Sequence, residues 1–238
     1  LVSSSAASDV YKRQLQRCQL AAYLKATVQS VKEKGEDGVH SQLDLVLTHI
    51  GEENILATSG RIFLWEERGV WKEKSEDIFK KKILEVLGVG TKKHIIDQLS
   101  ERIRIVTSLE DHKFNQDTLV VNCTNGELHL DNQTGGITMH SHNRESYSTV
   151  QLPVNYDPAA IAPRFKKFLD EVFENDPDKE QKKLCIYQMI GYCLIREQRY
   201  DTFFMLVGCG ANGKSVLCKI IIKLLGSENV SKVSPRHF

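Results

Sequence analysis

The residues best suited to chemistry sit together at positions 208–215: Gly208, Cys209, Gly210, Ala211, Asn212, Gly213, Lys214 and Ser215. Their order satisfies GxxxxGK[ST], the pattern of a phosphate-binding loop. A triphosphate needs many N–H donors converging on its anionic oxygens. Gly208, Gly210 and Gly213 let the backbone bend and approach without a Cβ in the way. A helix starting near Lys214 adds unpaired amides and the positive end of its dipole. Lys214 is the candidate catalytic residue, its ammonium placed between the β- and γ-phosphates, and Ser215 is the candidate Mg²⁺ ligand. With Val216 at the helix start, residues 208–216 form the expected binding set for ATP or another NTP. By average residue usage the four fixed positions occur by chance in roughly one chain in a hundred of this length, so the motif is specific.

Such a loop must be held between a strand and a helix. Phe203, Phe204, Met205, Leu206 and Val207 form an apolar run of strand length, as expected of a strand buried on both faces. After the loop, residues 216–225 are expected to be helical, with Val216, Leu217, Ile220, Ile221, Leu224 and Leu225 apolar and Gly226 ending the helix.

Further upstream, residues 15–34 carry Leu20, Leu24, Val28 and Val31 at helical spacing and end in the breaker stretch 34–38. Residues 62–71 predict a short hairpin across a polar Glu-Glu-Arg. Ser75 predicts a helix cap for residues 75–87, and residues 94–108 predict a second helix through Ile95, Leu99, Ile103 and Val106. Residues 119–123 and 127–130 bracket Thr124-Asn125-Gly126, a hairpin signal, because Asn and Gly tolerate positive φ. Gly135-Gly136 predicts a turn before a strand at 137–140, and residues 147–154 predict another strand. Asp157 and Pro158 predict the cap and first position of a helix whose apolar stripe is Ile161, Phe165, Phe168, Leu169, Val172 and Phe173. Residues 178–194 predict the next helix, with Leu184, Tyr187, Met189 and Ile190 buried. The lysine run at 80–82 reads as a solvated face or, alternatively, as a contact to nucleic-acid backbone.

Composition narrows the class. Of 238 residues, 41% are hydrophobic and 26% charged, the balance of an ordinary globular chain. No apolar run approaches the roughly 20 residues of a membrane span, and residues 1–7 lack the basic-then-apolar pattern of a signal peptide. The formal net charge of +1 gives no global attraction to polyanions. Cys18, Cys123, Cys185, Cys193, Cys209 and Cys218 form no CxxC, so free thiols in a reducing compartment are expected rather than zinc.

Both ends read as foreign to a natural domain. Residues 4–14 resemble the conceptual translation of a transposase-based sequencing adapter, so residues 1–14 are expected to be an artefact. Phe238 follows Ser215 by only 23 residues, too few to close a P-loop sheet, so a fragment of a longer reading frame is expected.

With these segments in order, the chain resembles the phage/plasmid primase family of superfamily 3 helicases, which includes poxvirus-type primase-helicases. The form Asn212-Gly213-Lys214-Ser215 is typical of that superfamily. Residues 119–130 resemble its Asn-Gly hairpin, and residues 150–158 its link into a helical segment. Phe165-Lys166-Lys167-Phe168-Leu169 and Gly191-Tyr192 fall where the family places them. The resemblance covers about residues 62–238. It implies a motor coupling ATP hydrolysis, with Mg²⁺, to DNA unwinding in replication. It also implies a homo-hexameric ring on DNA, a primase fused or in partnership, no membrane, and a place in the cytoplasm of a bacterial host or at a viral replication site. An acidic Walker B strand, a sensor Asn and an arginine finger are expected outside these residues, so the fragment alone is expected to be inactive.

The expected fold is an α+β N-terminal domain at 15–198, helical in its later part, followed at 199–238 by the truncated start of an α/β P-loop (AAA+-like) NTPase domain. Two other classes remain open. One is another P-loop enzyme such as a kinase, against which about 190 residues upstream of the loop count. The other is a non-enzymatic nucleic-acid-binding module with a degenerate loop, against which the intact Lys214 and Ser215 argue.

Overall fold

The computed structural model describes residues 37–110, 113–196, 200, 202–208, 210 and 212–233. The expected helix at 15–34 and the adapter-like segment lie outside the described residues. The chain is mixed α/β, with two three-stranded antiparallel sheets and, among the described residues, six α-helices. It divides into two units, Leu1–Leu64 with Lys72–Asp111 and Trp65–Trp71 with His112–Phe238.

The first unit holds α1 (Asp37–Ile50), β1 (Ile55–Thr58), β2 (Arg61–Glu66) and β3 (Val70–Lys74), apart from their residues 65–71, which count with the second unit, and α2 (Glu76–Leu87) and α3 (Lys93–Val106). No sequence signal above marks helix α1, because Gly38 and the charges before it mimic a loop. Its Leu45, Val46 and Leu47 are nevertheless buried. Strand register places Ile55 opposite Leu64 and Ala57 opposite Ile62, one sheet face that enters the core with Phe79, Ile83 and Leu99. Ser75 caps α2 as expected, its Oγ accepting from the Ile78 N–H. Helix α3 buries Ile96, Leu99, Ser100 and Ile103, whereas Val106, expected inside, is half exposed. The buried face is therefore turned toward Ile96, and Ile95 packs only at its margin.

In the second unit β4 (Val120–Cys123), β5 (Gly126–Leu130) and β6 (Ile137–His140) form an antiparallel meander. Cys123 pairs with Gly126, so the hairpin turns on Thr124-Asn125 and not on Asn125-Gly126. The glycine serves a different need: a Cβ there would stand 2.5 Å from the His140 carbonyl oxygen. The tip is pinned instead by the segment after it. Asn125 Nδ2 donates to the Tyr156 carbonyl, and Asn125 Oδ1 accepts from the Tyr156 N–H.

Residues 147–154 are not a strand, contrary to expectation. Two backbone bonds, Leu152 N–H to Asn122 O and Thr124 N–H to Val154 O, tie them to the end of β4 beside the Gln151 side chain, which donates to Asn122 Oδ1 and Cys123 O, and Pro153 has no N–H to extend a ladder. Nor does a helix start at Pro158. Asp157 accepts from the Ala159 N–H in a tight turn, and α4 (Pro163–Val172) begins at the later proline. A helix running through position 163 would lose a backbone bond and clash there, so the second proline sets the start and leaves Ile161 exposed. In α5 (Lys179–Leu194) the buried residues are Ile186 and Met189, while Leu184 and Tyr187 are exposed. Its first five residues, Lys179 to Lys183, are polar on every side and the apolar residues follow in a block, so its sequence does not select a face.

The run 203–207 is a further correction. It has no strand pairing among the described residues, and Phe203, Met205 and Val207 are 79%, 71% and 81% exposed. A buried parallel strand exists only with neighbours to take its backbone bonds, and none lies beside this one among the described residues. An α/β P-loop sheet is accordingly not part of the described structure. The helix after the loop, α6 (Lys214–Leu225), is present and ends at Gly226 as expected.

Candidate functional site

Helix α6 begins at Lys214, with Gly213 as its cap residue at φ +81°. No side chain caps that end, so the first N–H groups of the helix keep their capacity for an anionic ligand. The Lys214 ammonium donates to the Gly208 carbonyl oxygen at 2.8 Å and to Asn212 Oδ1 at 2.5 Å, which draws the loop around it. Asn212 Nδ2 lies where a side chain at Gly208 would be, 2.1 Å from an added Cβ. Ser215 and Val216 are exposed at the helix start. Thus Gly208, Asn212, Gly213, Lys214 and Ser215 lie together at the start of α6, with Gly210 exposed; Cys209 and Ala211 lie outside the described residues.

The loop is backed by α4. A Cβ on Gly213 would approach Val172 Cγ2 to 2.9 Å and the Phe168 ring to 3.1 Å. One turn on, Leu217 is buried with Leu169, Ile186 and Met189, joining α6 to α4 and α5. At the other end Leu225 packs on the cluster of Val121, Cys123, Leu128 and Leu152. Asn229 Nδ2 closes that end, donating to Leu225 O at 2.7 Å and Gln151 O at 3.0 Å. The aromatic stripe of α4 predicted core packing, but no sequence signal linked Phe168 to Gly213. Two open depressions of about 360 and 390 Å³ lie on α4, α5 and the segment joining them, and neither is lined by a residue of 208–215.

Around β5 a polar network fixes the sheet that carries this end of α6. Glu127 is fully buried and accepts from Ser146 Oγ at 2.6 Å and from the Asn143 N–H at 3.2 Å. Arg196 donates to Ser148 Oγ at 2.6 Å; burial lowers its pKa, and the fields of Glu127 and Asp117 oppose that shift. Burial pushes the Cys123 and Cys193 thiols up, which disfavours the thiolates a nucleophile or metal ligand would need. Among the described residues no group of three His, Cys, Asp or Glu is arranged to hold a metal ion.

In the first unit the lysine run separates. Lys80 pairs with Glu76 at 2.5 Å and Asp97 at 2.7 Å, and hydrogen bonds to both raise its pKa. Lys81, Lys82, Lys92 and Lys93 are exposed.

The family model described as D5 N terminal like matches residues 44–174, more than half of the chain. The chain belongs to this D5 N-terminal-like family. The family is the N-terminal domain of D5-type primase-helicases, which are enzymes of replication when intact. No curated protein matches it. The matched residues run from α1 to Glu174, just past the end of α4. They include the Asn125 hairpin and Phe168, while Gly191-Tyr192 and the 208–215 loop lie beyond them. No helix among the described residues is long and apolar enough to cross a membrane.

Proposed function

We propose that this D5-like chain is part of an ATP-dependent superfamily 3 DNA helicase of the phage, plasmid or viral primase-helicase type. The observation that carries the reading is the pairing of Lys214 and exposed Ser215 at an uncapped helix start that follows the D5 N-terminal-like region. The donor set suits a magnesium–triphosphate complex. The amides of α6 and the Lys214 ammonium would hold the phosphates, and the Ser215 hydroxyl would ligate Mg²⁺. Bound Mg²⁺ supplies charge neutralisation across the β- and γ-phosphates. Residues 208–216, including Cys209 and Ala211, form the binding set, with Lys214 the residue that reaches the reacting phosphate.

In this reading residues 15–198 are the helicase-associated domain and residues 199–238 begin the motor. The extended apolar run 203–207 then becomes the strand before the loop once other strands flank it. Residues 1–14 are adapter-derived. The intact protein works as a homo-hexamer on DNA with a fused or partner primase, in the bacterial cytoplasm or at a viral replication site. The test is strand displacement on a forked DNA duplex by the intact protein with ATP and Mg²⁺. Unwinding that Lys214→Ala abolishes is expected; phosphoryl transfer to a small molecule without unwinding would replace the helicase by a kinase.

A further inference from the structure

We infer that the Asn212 side-chain amide competes with the terminal phosphates of a nucleotide for the Lys214 ammonium, and so sets the affinity of the loop. This rests on the nucleotide-binding reading above. An ammonium has three N–H donors and no acceptor. In this structure one goes to Gly208 O and one to Asn212 Oδ1, at 2.8 and 2.5 Å. Because the ammonium can only donate, the amide must turn its oxygen toward it. Its Nδ2 is thereby directed to the space over Gly208, which a Cβ would fill. An amide oxygen and a phosphate oxygen are the same kind of acceptor, so a triphosphate must exchange with Oδ1 to reach that N–H. The amide is two residues from the lysine, on a loop of small residues. It holds the ammonium in place while contributing a neutral acceptor that a polyanion can displace.

Two measurements on the chain with Asn212→Ala test this. The first is the rate at which an amine-reactive ester labels Lys214 with no nucleotide added, read by mass spectrometry. The second is Mg·ATP affinity by fluorescence titration. Faster labelling of Lys214 and affinity tightened by about threefold are expected, since the competing state is removed. Unchanged labelling would show that the amide does not hold the ammonium. Unchanged or weakened affinity would overturn the competition, and weakening would make the Asn212 side chain, not only its backbone amide, a nucleotide contact. Absence of Mg·ATP binding in the unsubstituted chain as well would remove the nucleotide reading, and this inference with it.

Discussion

Gly213 rests against the ring of Phe168, so close that a methyl group on the glycine would stand 3.1 Å from two ring carbons. Phe168 lies within the D5 N-terminal-like region and Gly213 opens the helix after it. The positive φ of +81° and the contact with α4 impose the same demand for glycine. Gly213→Ala is expected to destabilise the chain by about 1–3 kcal/mol and to weaken nucleotide binding together with it. Urea denaturation with parallel nucleotide titration checks this; wild-type stability in the variant would mean that α4 does not back the loop.

A second glycine is held by a different ring. A Cβ on Gly69, at φ +85°, would fall 2.0 Å from His142 Cγ, while His142 Nε2 bonds the Cys123 carbonyl oxygen at 2.8 Å. The Gly69 carbonyl itself accepts from Asn122 Nδ2 at 2.7 Å. Gly69→Ala should therefore cost about 2 kcal/mol or more, and Gly69→Ala with His142→Ala should recover part of that loss. Additive losses in the double variant would contradict the contact.

Ile83 is fully buried among Phe79, Leu87 and Leu99. Ile83→Ala should cost about 2–5 kcal/mol, from lost transfer free energy and a residual cavity. Exposed Val89 gives the comparison, since Val89→Ala should stay within about 0.5 kcal/mol of wild type in the same thermal melts.

The cluster of Glu76, Lys80 and Asp97 predicts a pH dependence. Hydrogen bonds from Lys80 hold both carboxyls below their ordinary values of 4.5 and 3.8. Depressed acids stabilise the fold above their ordinary range and lose that contribution as pH falls through the folded values. Lys80, raised above 10.5, contributes below that value and loses its share as pH rises past it. Lys80→Met should therefore destabilise at about pH 7, and the difference should shrink toward about pH 2. A gap that is constant across that range would rule the ion pairs out as its source.

Much of this architecture was legible because local chemistry decides it. Ser75 caps α2 and Gly226 stops α6 through groups a few residues away in sequence. The misreadings arise where tertiary context decides. Pro158 and Pro163 are both acceptable helix starts locally, and only the steric cost of an internal proline selects the second. Asn125 reads as half of an Asn-Gly turn, yet its amide is committed to Tyr156, and the turn shifts by one residue. Residues 203–207 have the composition of a buried strand, but a strand needs partners that composition does not supply. At the site, spacing alone marks residues 208–215 as the candidate loop. The contacts of Asn212 with Lys214 and of Phe168 with Gly213 were not, because neither follows from a residue pattern.

The central claim is that Lys214 and the start of α6 hold a triphosphate, and calorimetric titration of Mg·ATP into the chain and into its Lys214→Ala variant tests it most directly. Saturable binding that the substitution removes, with unchanged thermal unfolding in both proteins, is the predicted result; equal affinity in the two, or none in either, would contradict it.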